Sequence, residues 1–182
     1  MNFSTDGKLY TISELMEEKL SNICHWYLVG PFEYDTTVHL SKVRYQPEME
    51  EKINLNGSYQ RKKGSELKWI QARCGEDYVI NIKEHFDVDY ALAYGVTFLQ
   101  SENEQDILLN FNSDDGFEVW MNGEKVHSHH VFRGITHQPD QVKAKLKQGV
   151  NILLVKISQG WGGWEFKVNV ECPYPIENVE PF

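Results

Sequence analysis

Basic residues are in the minority in this chain: 18 Lys and Arg stand against 27 Asp and Glu, for a formal charge of −9. A field of that sign argues against nucleic acid and anionic membrane surfaces as partners. Long apolar runs are missing as well, the longest being a few residues where a membrane span needs about 18. At the N-terminus, MNFSTDGKLY, no basic segment precedes an apolar run, so no signal peptide is predicted and a cytoplasmic location is expected. Cysteine is scarce: Cys24, Cys74 and Cys172 are far apart, odd in number and outside any CxxC or Cys/His cluster. That excludes a disulfide-dense miniprotein and predicts reduced, mostly buried thiols; one disulfide plus a free thiol is the alternative if a larger parent protein is exported. Also lacking are Gly-x-Ser-x-Gly, a P-loop and His-Glu-x-x-His. With no nucleophile motif and no nucleotide signature, the chain is read as a non-enzyme without a nucleotide cofactor.

What the chain has in quantity is aromatic residues. Nine Tyr, nine Phe and five Trp make up 13% of its 182 residues, alongside 41% hydrophobic and 25% charged residues. Such a composition suits one soluble domain with a sizeable core. Ile12, Leu15, Met16 and Leu20 recur at helical spacing, so a short amphipathic helix is predicted over 11–21. From Trp26 the period changes to two. Strands are predicted over 26–32, 67–72, 78–82, 89–99, 107–111, 117–121, 141–146, 151–157 and 165–170. Residues 35–65 are polar and read as a long excursion over one sheet, with a short strand near 58–60. Asp114-Asp115-Gly116 and Asn122-Gly123 each separate two predicted strands, and the second is a strong hairpin signal. At least seven strands with one helix and no βαβ alternation predict an all-β antiparallel sandwich or barrel.

Four stretches carry a family likeness: WYLVGPF at 26–32, NSDDGFEVWMNG at 112–123, LKQGVNILLVKI at 146–157 and GGWEFKVNV at 162–170. In order and spacing over residues 24–171 they resemble the galactose-binding-like jelly-roll domains that stand beside catalytic domains in bacterial carbohydrate-active and related hydrolases. The Asp-Asp-Gly with its VWMNG hairpin is also similar to PA14-type domains. The resemblance implies a jelly-roll β-sandwich over 24–171; the helix predicted from spacing makes 1–23 an N-terminal helical appendage, and the tail 172–182, with its three prolines, reads as a C-terminal strap or linker. It implies either a non-catalytic carbohydrate-binding accessory module or a structural module docked on a neighbouring hydrolase domain.

Asp114 and Asp115 are adjacent carboxylates in a tight turn beside Asn112. Such a pair can supply hard oxygen ligands to calcium, or it can cap backbone N–H groups of the turn. In PA14-type sugar binders the corresponding pair grips calcium. Trp161, in a glycine-rich loop, is a candidate for stacking on a sugar, whereas Trp164, Trp26 and Trp69 are read as packing residues. In a strand His127 and His129 share a face and His130 points away. No cysteine or carboxylate at a recognisable spacing completes a zinc or nickel set with them or with His137, so the stretch is read as a solvated loop. The expected ligand-binding set is Trp161 for stacking, with Asp114, Asp115, Asn122, His129 and Arg133 for hydroxyl groups.

Overall fold

The computed structural model describes residues 20–61, 64–136 and 138–181. Most of the helix predicted over 11–21 lies outside them, and where that prediction overlaps the described residues the chain is strand: β1 (Leu20–Asn22). The strands that follow are β2 (His25–Glu33), β3 (Ser58–Tyr59), β4 (Leu67–Lys68), β5 (Ile70–Arg73), β6 (Ile80–Asn81), β7 (Ala91–Ser101), β8 (Gln105–Asp114), β9 (Phe117–Met121), β10 (Glu124–His129), β11 (Asp140–Leu146), β12 (Gly149–Gln159), β13 (Glu165–Glu171) and β14 (Ile176–Val179). Two short 3-10 turns, Leu40–Lys42 and Gln46–Glu48, are the only helical elements among the described residues. None of these is long and apolar enough to cross a membrane.

The fold is all-β, and the strands pair antiparallel in two main sheets. The smaller runs β1-β13-β8-β11, with β6 on β13; the larger runs β10-β9-β12-β7-β2-β5, with β14 on β7. Ile107, Leu109, Phe111, Phe166 and Val168 of the smaller sheet pack against Trp26, Leu28, Val119, Val155 and Ile157 of the larger, giving a sandwich-like core. Alternation explains the choice. On β9 and β12 the residues Phe117, Val119, Met121, Leu153, Val155 and Ile157 share the inner face, so the outer face receives Trp120, Leu154 and Lys156. That outer face is buried too, because the excursion predicted to lie over a sheet does so: its Leu40 and Tyr59, with Leu67 and Trp69 just beyond it, cluster with Phe32, Tyr94 and Trp120.

A buried charge fastens the cover. Lys156 has no exposure, and its Nζ lies 2.6 Å from Glu48 Oε2, 2.6 Å from Glu118 Oε2 and 2.9 Å from the Val43 carbonyl. Tyr94 donates to the same Glu48 oxygen at 2.7 Å, while Lys125 and Ser128 donate to Glu118 at 2.9 and 2.8 Å. Burial by itself lifts the Glu118 carboxyl, but hydrogen bonds and charge from Lys156, then Lys125 and Ser128, hold it below its ordinary value.

Reduced thiols are not what the structure shows: Cys24 and Cys74 form a disulfide, and Cys172 is free. The antiparallel register of β2 on β5 sets His25 opposite Arg73 and brings the two cysteines to a Cα separation of 4.9 Å across 50 residues of sequence. Part of the expected C-terminal strap is strand. Asn178 of β14 accepts from the backbone N–H groups of Cys24 and His25 and donates to Thr97 Oγ1 at 2.8 Å.

Lys156→Met removes the one fully buried cation between two carboxylates, leaving Glu48 with Arg44 and Glu118 with Lys125, and should lower unfolding stability by about 3 kcal/mol in denaturant titrations. Because the folded pKa of Glu118 is depressed, its contribution is complete above the unfolded-state value near 4.5 and is lost as pH falls through the folded value. Acid unfolding of the wild type should therefore show this loss, and Lys156→Met should flatten it.

Candidate ligand-binding site

Three chain connections meet at one end of the sandwich. The first is the β8–β9 corner, Ser113 to Gly116, braced underneath by Phe111 and Phe117, whose rings stack 4.2 Å apart. The Asp114–Asp115 peptide there is cis. Glycine is required at 116, since a Cβ would fall 2.8 Å from the His129 carbonyl oxygen. The other two are the 130–139 connection between β10 and β11 and the 160–164 connection between β12 and β13. Asp115 joins all three: it is buried, with Oδ1 accepting from Arg133 N and Oδ2 from Gly160 N, both at 2.8 Å. The capping reading of the sequence therefore describes Asp115.

Asp114, Asp115, Phe132, Arg133, Gly134 and Trp161 line an open hollow of about 260 Å³. Trp161 is 70% exposed and Phe132 48%. Tyr90, also exposed, donates its backbone N–H to the Gly160 carbonyl at 2.8 Å, so a third aromatic borders the same loop. A larger hollow of about 640 Å³, lined in part by Glu33, Tyr34, Tyr45 and Tyr90, opens under the excursion and contains none of the predicted site residues.

Asp114 differs from its neighbour. Among the described residues its carboxylate has no hydrogen bond and no ion pair, and its pKa is pushed up to about 7 by burial, then by the charges of Asp115 and Glu165. Burial and Asp77 raise Glu165 in turn. The nearest guanidinium is turned away: Arg133 ion-pairs with Asp140 and its Nε donates to the Ser113 carbonyl at 3.3 Å. Negative charge is thus gathered without a matching cation. Asp114 is the carboxylate left open to an oxygen-seeking cation, while both Asp115 oxygens already accept backbone N–H groups. Gly163 makes the room, because a Cβ there would sit 2.5 Å from Asp114 Oδ2.

Four of the six predicted residues, Asp114, Asp115, Arg133 and Trp161, are therefore brought together. Asn122 is not. It lies at the far end of β9, where its side chain is spent on Asn151 Oδ1 and Ile152 N at 2.8 and 2.9 Å, and its φ of 51° forms the hairpin turn. His129 lies behind the hollow, with Nδ1 3.1 Å from Oδ1 of the Asp140 that holds Arg133. Trp164, Trp26 and Trp69 are buried, as read. Phe132, Gly134 and Asp140 were missed, since only closure of the 130–139 connection gives them a role.

Two substitutions test the geometry. Gly163→Ala should cost about 1–3 kcal/mol by overpacking against Asp114, and the cost should shrink in an Asp114→Ala background, a coupling read from thermal melts. The raised folded pKa of Asp114 means that stability is fuller at pH 5 and is lost as pH rises through about 7. In metal-free buffer Asp114→Asn should gain roughly 1–2 kcal/mol at pH 8, after discounting for solvent screening, and gain little at pH 5.

No protein-family model matches this chain, and a search of curated proteins likewise found no match.

Proposed function

We propose that this chain is a non-catalytic carbohydrate-binding module of jelly-roll type, similar to galactose-binding-like accessory domains, with its ligand held at the Trp161 hollow. One observation carries the reading. Residues from three separate connections converge on one open hollow, lined by both an exposed indole and a carboxylate with no partner among the described residues. Trp161 offers a flat apolar face to the C–H side of a sugar ring, with Phe132 beside it. Asp114 accepts from hydroxyl groups, while Asp115 keeps the two loops in place. Calcium held by Asp114 and Asp115 would add ligation of vicinal hydroxyls.

The two facing antiparallel sheets support the jelly-roll assignment. The Cys24–Cys74 disulfide supports an oxidising compartment rather than the cytoplasm. The exposed trio Trp161, Phe132 and Tyr90 favours, as the second reading, a docking surface for a neighbouring hydrolase domain.

A glycan array run with calcium and repeated with EDTA separates these readings. Binding should appear, and Trp161→Ala should weaken it at least about 10-fold, the loss of one stacking contact. Asp114→Asn should remove the calcium-dependent part. Absence of binding in both buffers would overturn the sugar reading and leave the docking one.

A further inference from the structure

A second constellation lies behind the hollow. β10 is an edge of the larger sheet and β11 an edge of the smaller, so the sandwich is open between them. A bulge between Lys125 and His127 rephases β10. Lys125 pairs with the outward Trp120, but His127 and His129 then pair with the inward Val119 and Phe117. Both imidazoles therefore face the other sheet, where Asp140 opens β11. His127, His129 and Asp140 each offer one ligand atom, and these atoms all lie within 4.8 Å of one another.

We propose that His127, His129 and Asp140 form a transition-metal site, taking Zn²⁺ or a similar borderline divalent ion, which clamps the open edge of the two sheets. The proposal is independent of the sugar reading. Two imidazoles and one carboxylate are the donor set of zinc, cobalt, nickel or copper rather than of calcium or magnesium. His127 is held in place by stacking on Phe117, ring centres 5.1 Å apart, and its Nε2 is buried without a hydrogen-bond partner among the described residues. Such an orphaned nitrogen is costly unless something binds it. The site is reachable, since the His129 and Asp140 side chains are 39% and 21% exposed.

Asp140 already has its outer partner. Arg133 ion-pairs with Oδ2, which leaves Oδ1, 3.1 Å from His129 Nδ1, for the metal. A hydrogen-bonded carboxylate ligand is the usual outer-shell arrangement, and the guanidinium charge moderates affinity rather than completing the set. Three protein ligands leave a fourth position to solvent. Loading the site ties β10 to β11, so the ion adds to folding stability by mass action.

The test uses untagged, EDTA-stripped full chain titrated with Co²⁺ and followed by visible d–d absorption. One saturable equivalent should develop the bands of a site with nitrogen and oxygen ligands, Zn²⁺ should bleach them, and either ion should raise the melting temperature where Ca²⁺ leaves the bands unchanged. His129→Ala and Asp140→Asn should each weaken Co²⁺ binding by more than about 10-fold. His130→Ala, one residue along, should keep it. Melts of the metal-free variants check folding, and the exposure of His129 makes its truncation the milder change. The proposal fails if folded wild type shows no saturable bands, or if both variants keep them.

Discussion

An ammonium group sealed between two carboxylates, Lys156 with Glu48 and Glu118, is the constraint on which the architecture depends. Alternation on β12 commits every second residue to the inner core and so forces Lys156 outward. Outward here means under the 35–65 excursion, where the side chain is sealed from solvent. Glu48 from the excursion and Glu118 from β9 balance its charge, and Tyr94 and Arg44 also bond Glu48. A polar excursion that would otherwise wander is thereby fixed in register, and Leu40, Tyr59 and Trp69 come down on Phe32 and Trp120. The larger sheet becomes the middle of three layers.

That middle layer gives the hollow rigid walls. β9 begins directly after the Asp114-Asp115-Gly116 corner and β12 ends directly before the Trp161 loop, and the two strands pair from Leu153–Met121 to Ile157–Phe117. Asp115 then joins the connections above them through two backbone N–H groups. On the proposed reading, a ligand at Trp161 would meet connections already tied together, so little binding energy would be lost in arranging them. Asp114, left without a partner beside its neighbour, keeps the unbalanced charge that a ligand or cation can answer.

Local pattern made much of this legible. Phe117–Met121 coincides with β9 end to end, because strict alternation and two turn-forming dipeptides bound it. Trp161 and Trp164 separate correctly into exposed and buried, since glycines surround the first and a period-two strand follows the second. What escaped is pairwise and distant. Lys156 meets Glu48 across 108 residues, Cys24 meets Cys74 across 50, and no spacing rule connects either pair. The bulge in β10 hid the carboxylate partner of His129, since Asp140 belongs to the other sheet and carries no spacing signal. Asn122 was grouped with the site, yet the five extended residues of β9 between Gly116 and Asn122 carry it to the opposite end of that strand.

The border strand of the smaller sheet has one more implication. Among the described residues β11 pairs with β8 along one side only, which leaves its other row of backbone groups without a strand partner there. On its solvent face Lys143 and Lys145 alternate with the inward Val142, Ala144 and Leu146. Lys143, and Lys145 with its ion-pair partner Glu104, place charged groups at every second position and burden any intruding strand with dehydrating them. An edge so guarded disfavours strand addition from a second molecule.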